Sequence, residues 1–426
     1  MNETKLSIAL LGAVLVATCG TRAALAVTTD LNVKTDCSAV GNGVANDTSA
    51  IQTCINTAAT SGQAVYFPAG VYNINAALSI ANDNITLYGT NNGTATIVQT
   101  TSSANLLNIS KGGPVVNKTV IRGLEFYYGS QNPTGLTIYC NNCWRTFFRD
   151  LSFGKTLTGP TPPNTPHWFS TGIWAVDGSE VYVEDSRFTG ASSNGMVFQH
   201  VGELNLMNIQ VNNSEGDTTV TGIVFDGGTG GIYATDVNVT AGETGFLFEN
   251  TYGGTGTANY PTFGFFTHCL ADSQAGTGWD FNTAKSMVLT NSWAATAGGV
   301  GILIEAHANT INITDSRIIN NGGIGLQVQA GATEIAVKNT MISGNSRVSS
   351  GSWAGIDVAA GVSNFQIQDN RIGAAGDFGT TQSYGIRIAA GAGDNIMITG
   401  NDLRGNVTGE LSNGATGTHT VIGNNL

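Results

Sequence analysis

A short phrase led by glycine recurs through the second half of the chain: a glycine, an apolar residue, any residue and a second apolar residue. It starts at Gly172, Gly195, Gly222, Gly245, Gly278, Gly301, Gly325, Gly355 and Gly385. Successive glycines are 23 to 33 residues apart. Self-similarity at a period of roughly 20–50 residues is typical of solenoids, in which each repeat buries its apolar face only against its neighbours. The repeat therefore predicts a solenoid, and each of its turns is called a rung below.

Side chains alternate along a strand, so the first and third residues after each glycine are expected to point inward. Four consecutive rungs carry phenylalanine at the third position: Phe198, Phe225, Phe248 and Phe281. Because parallel rungs lie about 4.8 Å apart, these rings are expected to stack as a core ladder.

A second column collects the residues that end a second strand in each rung. It contains Asp185, Asn208, Asp236, Cys269, Asn291, Asp315, Asn339, Asp369 and Gly400. Short polar side chains satisfy their own backbone at tight bends and tolerate left-handed geometry. We therefore interpret this column as structural, and its carboxylates are not assigned to catalysis.

Composition excludes two classes of partner. The net charge is −12 with only 17 Lys and Arg, whereas phosphate backbones need clustered positive charge, so nucleic-acid binding is not expected. After the first 26 residues no apolar segment is long enough to span a bilayer, so no membrane insertion is expected. Abundant glycine (57 residues) suits short strands joined by tight turns.

Residues 1–26 have the pattern of a secretory signal peptide. Lys5 precedes an apolar stretch, and Ala24-Leu25-Ala26 is a small-residue cleavage site. A lipid-anchored Cys19 is the weaker alternative. We therefore expect a secreted, extracellular protein with a signal peptide at 1–26, an N-terminal cap with the first strands at 27–80, and a parallel β-helix at 81–426.

The cap has its own pattern. Gly41-Asn-Gly43 forms a turn, Asp47 is placed to cap a helix from about Thr48 to Ala59, and a strand and turn follow in Ala64-Val-Tyr-Phe-Pro-Ala-Gly-Val-Tyr72. This run resembles the start of right-handed β-helix proteins of the pectate-lyase superfamily, including rhamnogalacturonase- and epimerase-like enzymes, with similar openings in phage tailspikes. The resemblance implies an all-β, single-stranded, right-handed parallel β-helix with a short capping helix, and a polysaccharide context.

Five cysteines follow the signal peptide. Cys37 and Cys54 flank the turn and the following helix, so an exported chain is expected to pair them in a disulfide. Cys140 and Cys143 form a local disulfide, two buried thiols or a metal or redox site, although no second pair completes a zinc site. Cys269 is expected to be a buried thiol. No metal and no cofactor are predicted.

The fourth residue after each glycine is polar and partly acidic only in the central rungs. Asp226 and Glu249 occupy adjacent rungs, so their backbones are expected to lie about 5 Å apart. Paired carboxylates shift each other's pKa and suit acid/base work on a glycosidic bond. Asp280 completes the candidate catalytic set, and His200 and Glu305 are candidate substrate-binding residues. A purely structural column of turn residues is the alternative.

Aromatic residues occur on the long loops between strands. Trp168, Tyr252 and Tyr260 are placed to stack on sugar rings, or equally to pack their loops against the solenoid. The outward position two after each glycine is apolar from Trp174 to Leu247, so loops or another subunit must cover it. The tailspike resemblance makes a homotrimer one possible assembly.

Motifs of polygalacturonases and of pectate lyases are absent from the sequence. The favoured function is an exported enzyme that cleaves a glycosidic bond of an acidic polysaccharide, as hydrolase or lyase. The alternatives are a non-catalytic, carbohydrate-binding or adhesive β-helix and a trimeric, tailspike-like receptor-binding protein. Fold-level analogy does not choose among them.

Overall fold

The structure is a computed structural model that describes residues 30–155, 166–252, 259–376 and 378–426. The predicted signal peptide at 1–26 lies outside the described residues. The chain winds into a parallel β-solenoid of about 14 turns with a single α-helix in the described part, as predicted. No helix in those ranges is both long and apolar enough to cross a bilayer.

The solenoid has two sheets in which neighbouring strands are parallel. The small sheet has 13 strands, one from each rung: Leu78–Ile80, Leu107–Ile109, Ile138–Asn141, Phe169–Val176, Ala191–Gln199, Thr221–Asp226, Thr244–Glu249, Thr277–Phe281, Ile302–Ile304, Leu326–Val328, Ile356–Val358, Tyr384–Ile388 and Gly409–Asn413. It contains all nine glycine-led phrases, and their register matches the sequence alignment position by position.

The large sheet covers the remaining sides of the solenoid with 26 strands. They are Leu31–Asn32, Asn42–Asn46, Val65–Phe67, Gly70–Ile74, Thr86–Gly89, Ala95–Gln99, Val116–Asn117, Val120–Arg122, Glu125–Tyr128, Cys143–Arg149, Ser152–Phe153, Ser179–Thr189, Gly202–Asn212, Gly230–Thr240, Thr262–Thr267, Leu270–Asp272, Lys285–Thr290, Trp293–Ala295, Asn309–Thr314, Arg317–Ile319, Thr333–Lys338, Met341–Ser343, Ser363–Gln368, Arg371–Ile372, Ile396–Thr399 and Thr420–Gly423.

The glycine of the repeat is required by the spacing between rungs. A Cβ on Gly195 would lie 2.5 Å from the carbonyl oxygen of Gly222, and a Cβ on Gly245 would lie 2.5 Å from that of Gly278. Both distances are well below carbon–oxygen contact. The backbone of one rung therefore approaches the next too closely for any side chain at this position.

The predicted aromatic ladder is confirmed. Phe225 stacks on Phe248 with ring centroids 4.9 Å apart, and Phe248 stacks on Phe281 at 4.6 Å. Phe198 begins the ladder at 6.1 Å from Phe225. All four rings are fully buried, so they belong to the continuous core of the solenoid.

The predicted bend column is confirmed, with one correction. Its residues adopt a left-handed backbone, as in Asp185 (φ 49°) and Asn339 (φ 47°). In the rung that was assigned to Cys269, the bend residue is His268 (φ 54°). Cys269 is the next residue, and it is a buried free thiol in the core. The alignment was wrong there by one residue because no Asn or Asp marks the bend.

The helix covers the first rung. It extends over Thr48–Ser61, two residues beyond the prediction, and buries Ile51, Cys54, Ile55 and Ala58. The predicted cap interaction of Asp47 is wrong, since its carboxylate makes no hydrogen bond to the helix. It accepts instead from the backbone N–H groups of Val40 (2.6 Å) and Gly41 (3.0 Å), which fixes the preceding turn.

Two disulfides are present among the described residues. Cys37 bonds to Cys54 and ties the N-terminal turn to the helix. Cys140 bonds to Cys143 at the bend between the two sheets. The open choice for the second pair is therefore resolved in favour of a local disulfide.

Candidate active site

The central rungs of the small sheet place several polar side chains on one outward face. The strands Phe169–Val176, Ala191–Gln199 and Thr221–Asp226 end at the fourth residue after the glycine, and the next residue turns the chain towards the large sheet in a left-handed conformation. Asp177, His200 and Gly227 are these turning residues, with φ of 53°, 53° and 57°. The strand ends and the turns therefore form adjacent columns along one edge.

Asp226 is a fully buried carboxylate with five donors. Oδ1 accepts from the backbone N–H groups of Gly227 (2.6 Å), Thr251 (2.7 Å) and Tyr252 (3.1 Å). Oδ2 accepts from the Thr251 hydroxyl (2.6 Å) and from Nε2 of Gln199 (2.9 Å). Such saturation satisfies the charge without water and holds the chain after Glu249 in place.

The segment held by Asp226 carries Tyr252 to the outer surface. Its hydroxyl donates to Oδ2 of Asp177 at 2.7 Å, and Oδ1 of Asp177 lies 2.9 Å from Nδ1 of His200. Burial, with the hydrogen bond to Asp177 as a second cause, raises the pKa of Tyr252 to about 12, so its proton stays on the phenol. The His200 side chain is 60 % exposed, and its Cδ2–Nε2 edge lies beside Gly228.

Trp174 joins the same network from the outward column. Its indole N–H donates to Oε1 of Gln199 at 2.7 Å, and Gln199 in turn donates to Asp226. Trp174 is half-buried, whereas Val197 and Val224 above it are each only 5 % exposed. The chain itself thus covers the middle of the apolar strip that was expected to need a loop or another subunit.

Glu249, Asp280 and Glu305 follow in three successive rungs. Asp280 pairs in register with Leu247 on one side and Leu303 on the other, so its carboxylate rises between two apolar side chains. Oδ1 of Asp280 is buried and has no hydrogen-bond partner among the described residues. We call these three side chains the carboxylate row; Glu249 and Glu305 stand four residues after their glycines, whereas Asp280 stands two after its own.

The surroundings of Asp280 disfavour its charged form. Burial, followed by the negative charges of Glu305 and Glu249, raises the pKa of Asp280 to about 7. The pKa of Glu249 is also raised, first by burial and then by the charge of Asp226. A carboxyl with a pKa near 7 is able to donate a proton at neutral pH while a neighbouring carboxylate stays ionised.

The predicted site residues separate into three groups. Asp226, His200 and Tyr252 share one hydrogen-bond network, and Glu249, Asp280 and Glu305 form the adjoining row. Tyr260 is half-buried before the strand Thr262–Thr267, and within the described ranges no hydrogen bond or ring contact joins it to either set. Whether these residues act in catalysis or binding stays a prediction.

Trp168 lies away from this site. It precedes the strand Phe169–Val176, whose far end carries the network, so about 20 Å separates the two. Its ring packs edge-on against Tyr127 at 6.4 Å and under Lys155 at 5.3 Å. Of the loop predicted around it, residues 156–165 lie outside the described residues.

Two contributors to the network were missed at the sequence level. Gln199 appeared only as a member of the polar column, and Thr251 was not considered. A sequence signal exists for the first: Gln199 directly precedes Asp226 in the same column. Thr251 has no comparable signal, because its contact with Asp226 depends on how the chain folds back after Glu249.

Metal ligation was not predicted for this site. No group of three His, Cys, Asp or Glu side chains in the described ranges is arranged to hold a metal ion.

A family model decides the relationship. Residues 31–263 match the model described as "Rhamnogalacturonase A/epimerase, pectate lyase-like", which is more than half of the chain. The protein belongs to this family. A second model, the right-handed β-helix region, matches residues 207–372 and agrees with the solenoid described above. These proteins share a β-helix that acts on or binds polysaccharides.

Solved structures show the same fold at low identity. The A-module of the Azotobacter vinelandii mannuronan C-5 epimerase AlgE4 is 16 % identical, with 92 % of this chain and 100 % of that one covered and a TM-score of 0.53. PfbA, a surface adhesin of Streptococcus pneumoniae, is 14 % identical over 90 % and 93 %, with a TM-score of 0.53. Tailspike protein 3 of bacteriophage CBA120 is 13 % identical over 90 % and 59 %, with a TM-score of 0.57. No match was found among curated proteins.

Proposed function

We propose that this protein is an exported polysaccharide hydrolase, with Asp280 as the general acid and Glu249 as the second carboxylate. The observation that carries the proposal is half-buried Asp280, whose Oδ1 has no hydrogen-bond partner among the described residues and whose pKa is raised to about 7, in the rung between those of Glu249 and Glu305. Glycoside hydrolysis uses a protonated and an ionised carboxyl on either side of the scissile bond. Family membership supports a polysaccharide as the substrate.

In this mechanism protonated Asp280 transfers its proton to the glycosidic oxygen as the bond from that oxygen to C1 breaks. Ionised Glu249 either accepts a proton from the water that attacks C1 or attacks C1 itself before water replaces it. Each turnover consumes one water and creates one reducing end. Asp226 is assigned as a positioning residue, because its carboxylate is enclosed and holds Thr251 and Tyr252 in place.

We favour a neutral polysaccharide over the acidic one expected from the sequence. Asp177, Glu249 and Glu305 give the face a negative potential, which repels polyuronates. Trp174 and Tyr252 border the same face and offer apolar surfaces to sugar rings. About five rungs separate Trp174 from Glu305, which is roughly 20 Å of surface along the solenoid.

One observation favours a second candidate, a polysaccharide lyase. When the His200 imidazole donates its Nδ1–H to Asp177, its Nε2 is free to abstract the proton beside a uronate carboxyl group. Elimination would then leave an unsaturated uronate and no consumed water. The epimerase in the family description is compatible with proton abstraction as well.

A panel of neutral and acidic polysaccharides separates these activities. Reducing ends without unsaturated uronates support hydrolysis, and we expect Asp280→Asn and Glu249→Gln each to lower that rate by about 10³-fold or more. Asp315→Asn, an exposed bend residue, is the matched control and should leave the rate unchanged. Unsaturated uronates that disappear in His200→Ala would establish the lyase, and binding without either product would establish a non-catalytic adhesin.

Export and assembly complete the proposal. Two disulfides support an oxidising compartment, which agrees with the expected signal peptide. Mass spectrometry of the secreted protein should show an N terminus after Ala26. A homotrimer stays possible by likeness to the tailspike, and sedimentation of the purified chain measures it directly.

A further inference from the structure

An exposed aromatic ladder runs along the outer face of the large sheet, on strands that do not contribute to the candidate active site. Phe147 stacks on Tyr182 with centroids 4.4 Å apart and planes 6° from parallel. Tyr233 stacks on Phe265 at 5.6 Å and 11°. Phe147, Tyr233 and Phe265 are 37 %, 52 % and 45 % exposed. Neither packing in the core nor the proposed hydrolysis accounts for these rings.

Asn205 interrupts the ladder at its centre. Strand register places Tyr182 beside Asn205 and Asn205 beside Tyr233, so the two tyrosines are two rungs apart. Their positions are therefore separated by about 10 Å, with the small Asn205 side chain as the floor of the gap. A ring inserted midway would have its mean plane about 5 Å from each tyrosine. Carbon–carbon contact is about 3.5–4.0 Å, so the gap suits a puckered chair with axial hydrogens better than a flat aromatic ring.

We propose that the gap between Tyr182 and Tyr233 is a non-catalytic binding site for one pyranose unit of a neutral, β-linked glucan. Such a ring carries its hydroxyls equatorially, so both of its faces present C–H groups to the two aromatic rings. The register places Asn205 between the two tyrosines; its amide N–H donates to the carbonyl of Glu203 at 3.4 Å, and its amide oxygen is able to accept from a sugar hydroxyl. The stacked partners Phe147 and Phe265 support the two tyrosines from outside and hold the gap open.

The charges beside the ladder favour a neutral sugar. Arg145 pairs with Glu180 at 3.0 Å and Arg149 with Glu184 at 3.5 Å, so neither arginine is left to attract a uronate. Glu203 is exposed next to the gap and repels one. This site is independent of the proposed hydrolysis, and its occupant is held by stacking instead of by charge.

A second copy of the chain fits this surface less well than a glucan does. The ladder is one residue wide and is flanked by these charged side chains. Its exposed aromatic area is roughly 200–400 Å², below the about 800 Å² per partner of a standard stable interface. A cellulose- or laminarin-type chain laid across the gap needs only a few rings to engage it.

Calorimetric titration with cellohexaose and laminarihexaose tests the site. The full chain carrying Asp280→Asn is used so that no bond is cleaved. We expect Tyr182→Ala and Tyr233→Ala each to raise the dissociation constant of one class of hexaose sites about tenfold or more, because each removes a stacking partner. Trp353→Ala removes a 37 % exposed aromatic away from the ladder and should change nothing, and Trp174→Ala should affect only sugar bound at the candidate active site.

Asn205→Phe is the decisive variant. It fills the gap and completes the ladder, so binding should be lost while the melting temperature is kept or raised. The proposal is overturned if neither hexaose binds, if binding survives Asn205→Phe, or if only Trp174→Ala reduces it. It is also overturned if the wild type sediments as an oligomer that Tyr233→Ala dissociates, because the ladder would then be a subunit interface. A failure of hydrolysis with intact Tyr182-dependent binding would reject only the proposed enzyme.

Discussion

The backbone N–H of Thr251 donates a 2.7 Å hydrogen bond to Oδ1 of Asp226, which ends the strand of the preceding rung. This bond joins the buried carboxylate of Asp226 to the segment of Thr251 and Tyr252 on the outer surface. Tyr252, the next residue, also donates its N–H to Asp226 and its hydroxyl to Asp177. Asp226 is thus linked to His200 through Tyr252 and Asp177.

Replacing Asp226 tests this dependence. In Asp226→Asn one oxygen becomes an NH₂ group that faces donors, so we expect the free energy of unfolding to fall by about 2–3 kcal/mol. Denaturant unfolding measures the loss, and Asp236→Asn at an exposed bend should change stability by less than about 0.5 kcal/mol. Equal effects of the two variants would show that the five hydrogen bonds of Asp226 contribute little.

Asp280 should make stability depend on pH. Its pKa is about 7 when folded and 3.8 ordinarily, so between about pH 4 and pH 7 the folded chain binds more protons than the unfolded one. Stability from this group is therefore highest below pH 4 and falls as pH rises through 7, by up to about 4 kcal/mol. Asp280→Asn should abolish the fall and be more stable than wild type at pH 8. Melting temperatures at pH 4 and pH 8 measure it, with Asp315→Asn as control, and a wild-type profile equal to that of Asp280→Asn would contradict it.

The same group sets the alkaline limb of activity under the proposed mechanism. Hydrolysis should decline as pH rises above about 7, because Asp280 must be protonated to donate. The pH profile of kcat/KM measures this pKa in the free enzyme. A rate that stays constant from pH 6 to pH 9 would remove Asp280 from the role of general acid.

The core ladder should tolerate truncation poorly. Phe248 is buried between Phe225 and Phe281, so Phe248→Ala leaves a cavity and should cost about 3–5 kcal/mol. Phe263→Ala removes a ring that is 60 % exposed and should cost under about 0.5 kcal/mol. Thermal unfolding compares the two. A similar loss in both would mean that the ladder is not the main source of stability in the central rungs.

The disulfide between Cys37 and Cys54 should stabilise the cap. It closes a loop between residues 17 apart, for which chain entropy predicts about 3 kcal/mol. Cys37→Ala/Cys54→Ala should therefore unfold at lower denaturant concentration. Adding reductant to that variant reports on the remaining Cys140–Cys143 bond, which closes only a short loop. An unchanged midpoint in the double variant would show that helix packing alone secures the cap.

Periodicity made the solenoid predictable because each rung repeats the same pattern of strand and bend residues. The glycine column, the phenylalanine ladder and the bend column all depend on contacts between equivalent positions one rung apart, so aligning the phrases was enough to find them. The one misplaced bend, at His268, occurred where an atypical residue took the left-handed position. The helix was predictable within two residues from its turn and apolar spacing, but the true contacts of Asp47 were not.

The candidate site was predictable only in part, since knowing that two residues lie in neighbouring rungs does not show what their side chains contact. Asp226 and Glu249 were correctly placed in neighbouring rungs, yet Asp226 is enclosed by the fold-back of Thr251, whereas Asp280 rises between two leucines. The exposed ladder of Tyr182 and Tyr233 also escaped notice, because its strands lack the glycine that marks the small sheet.

By itself the sequence determined the β-helix, its register on the small sheet and which residues share each column, since these follow from a repeated pattern at a spacing of one rung. Only the tertiary structure decided which carboxylate is buried and satisfied and which is left without a partner. Burial and hydrogen bonding arise where segments from different rungs and loops meet, and no local pattern encodes that meeting. The clearest example is the contrast between Asp226, which accepts five hydrogen bonds, and Asp280, whose buried Oδ1 accepts none from the described residues.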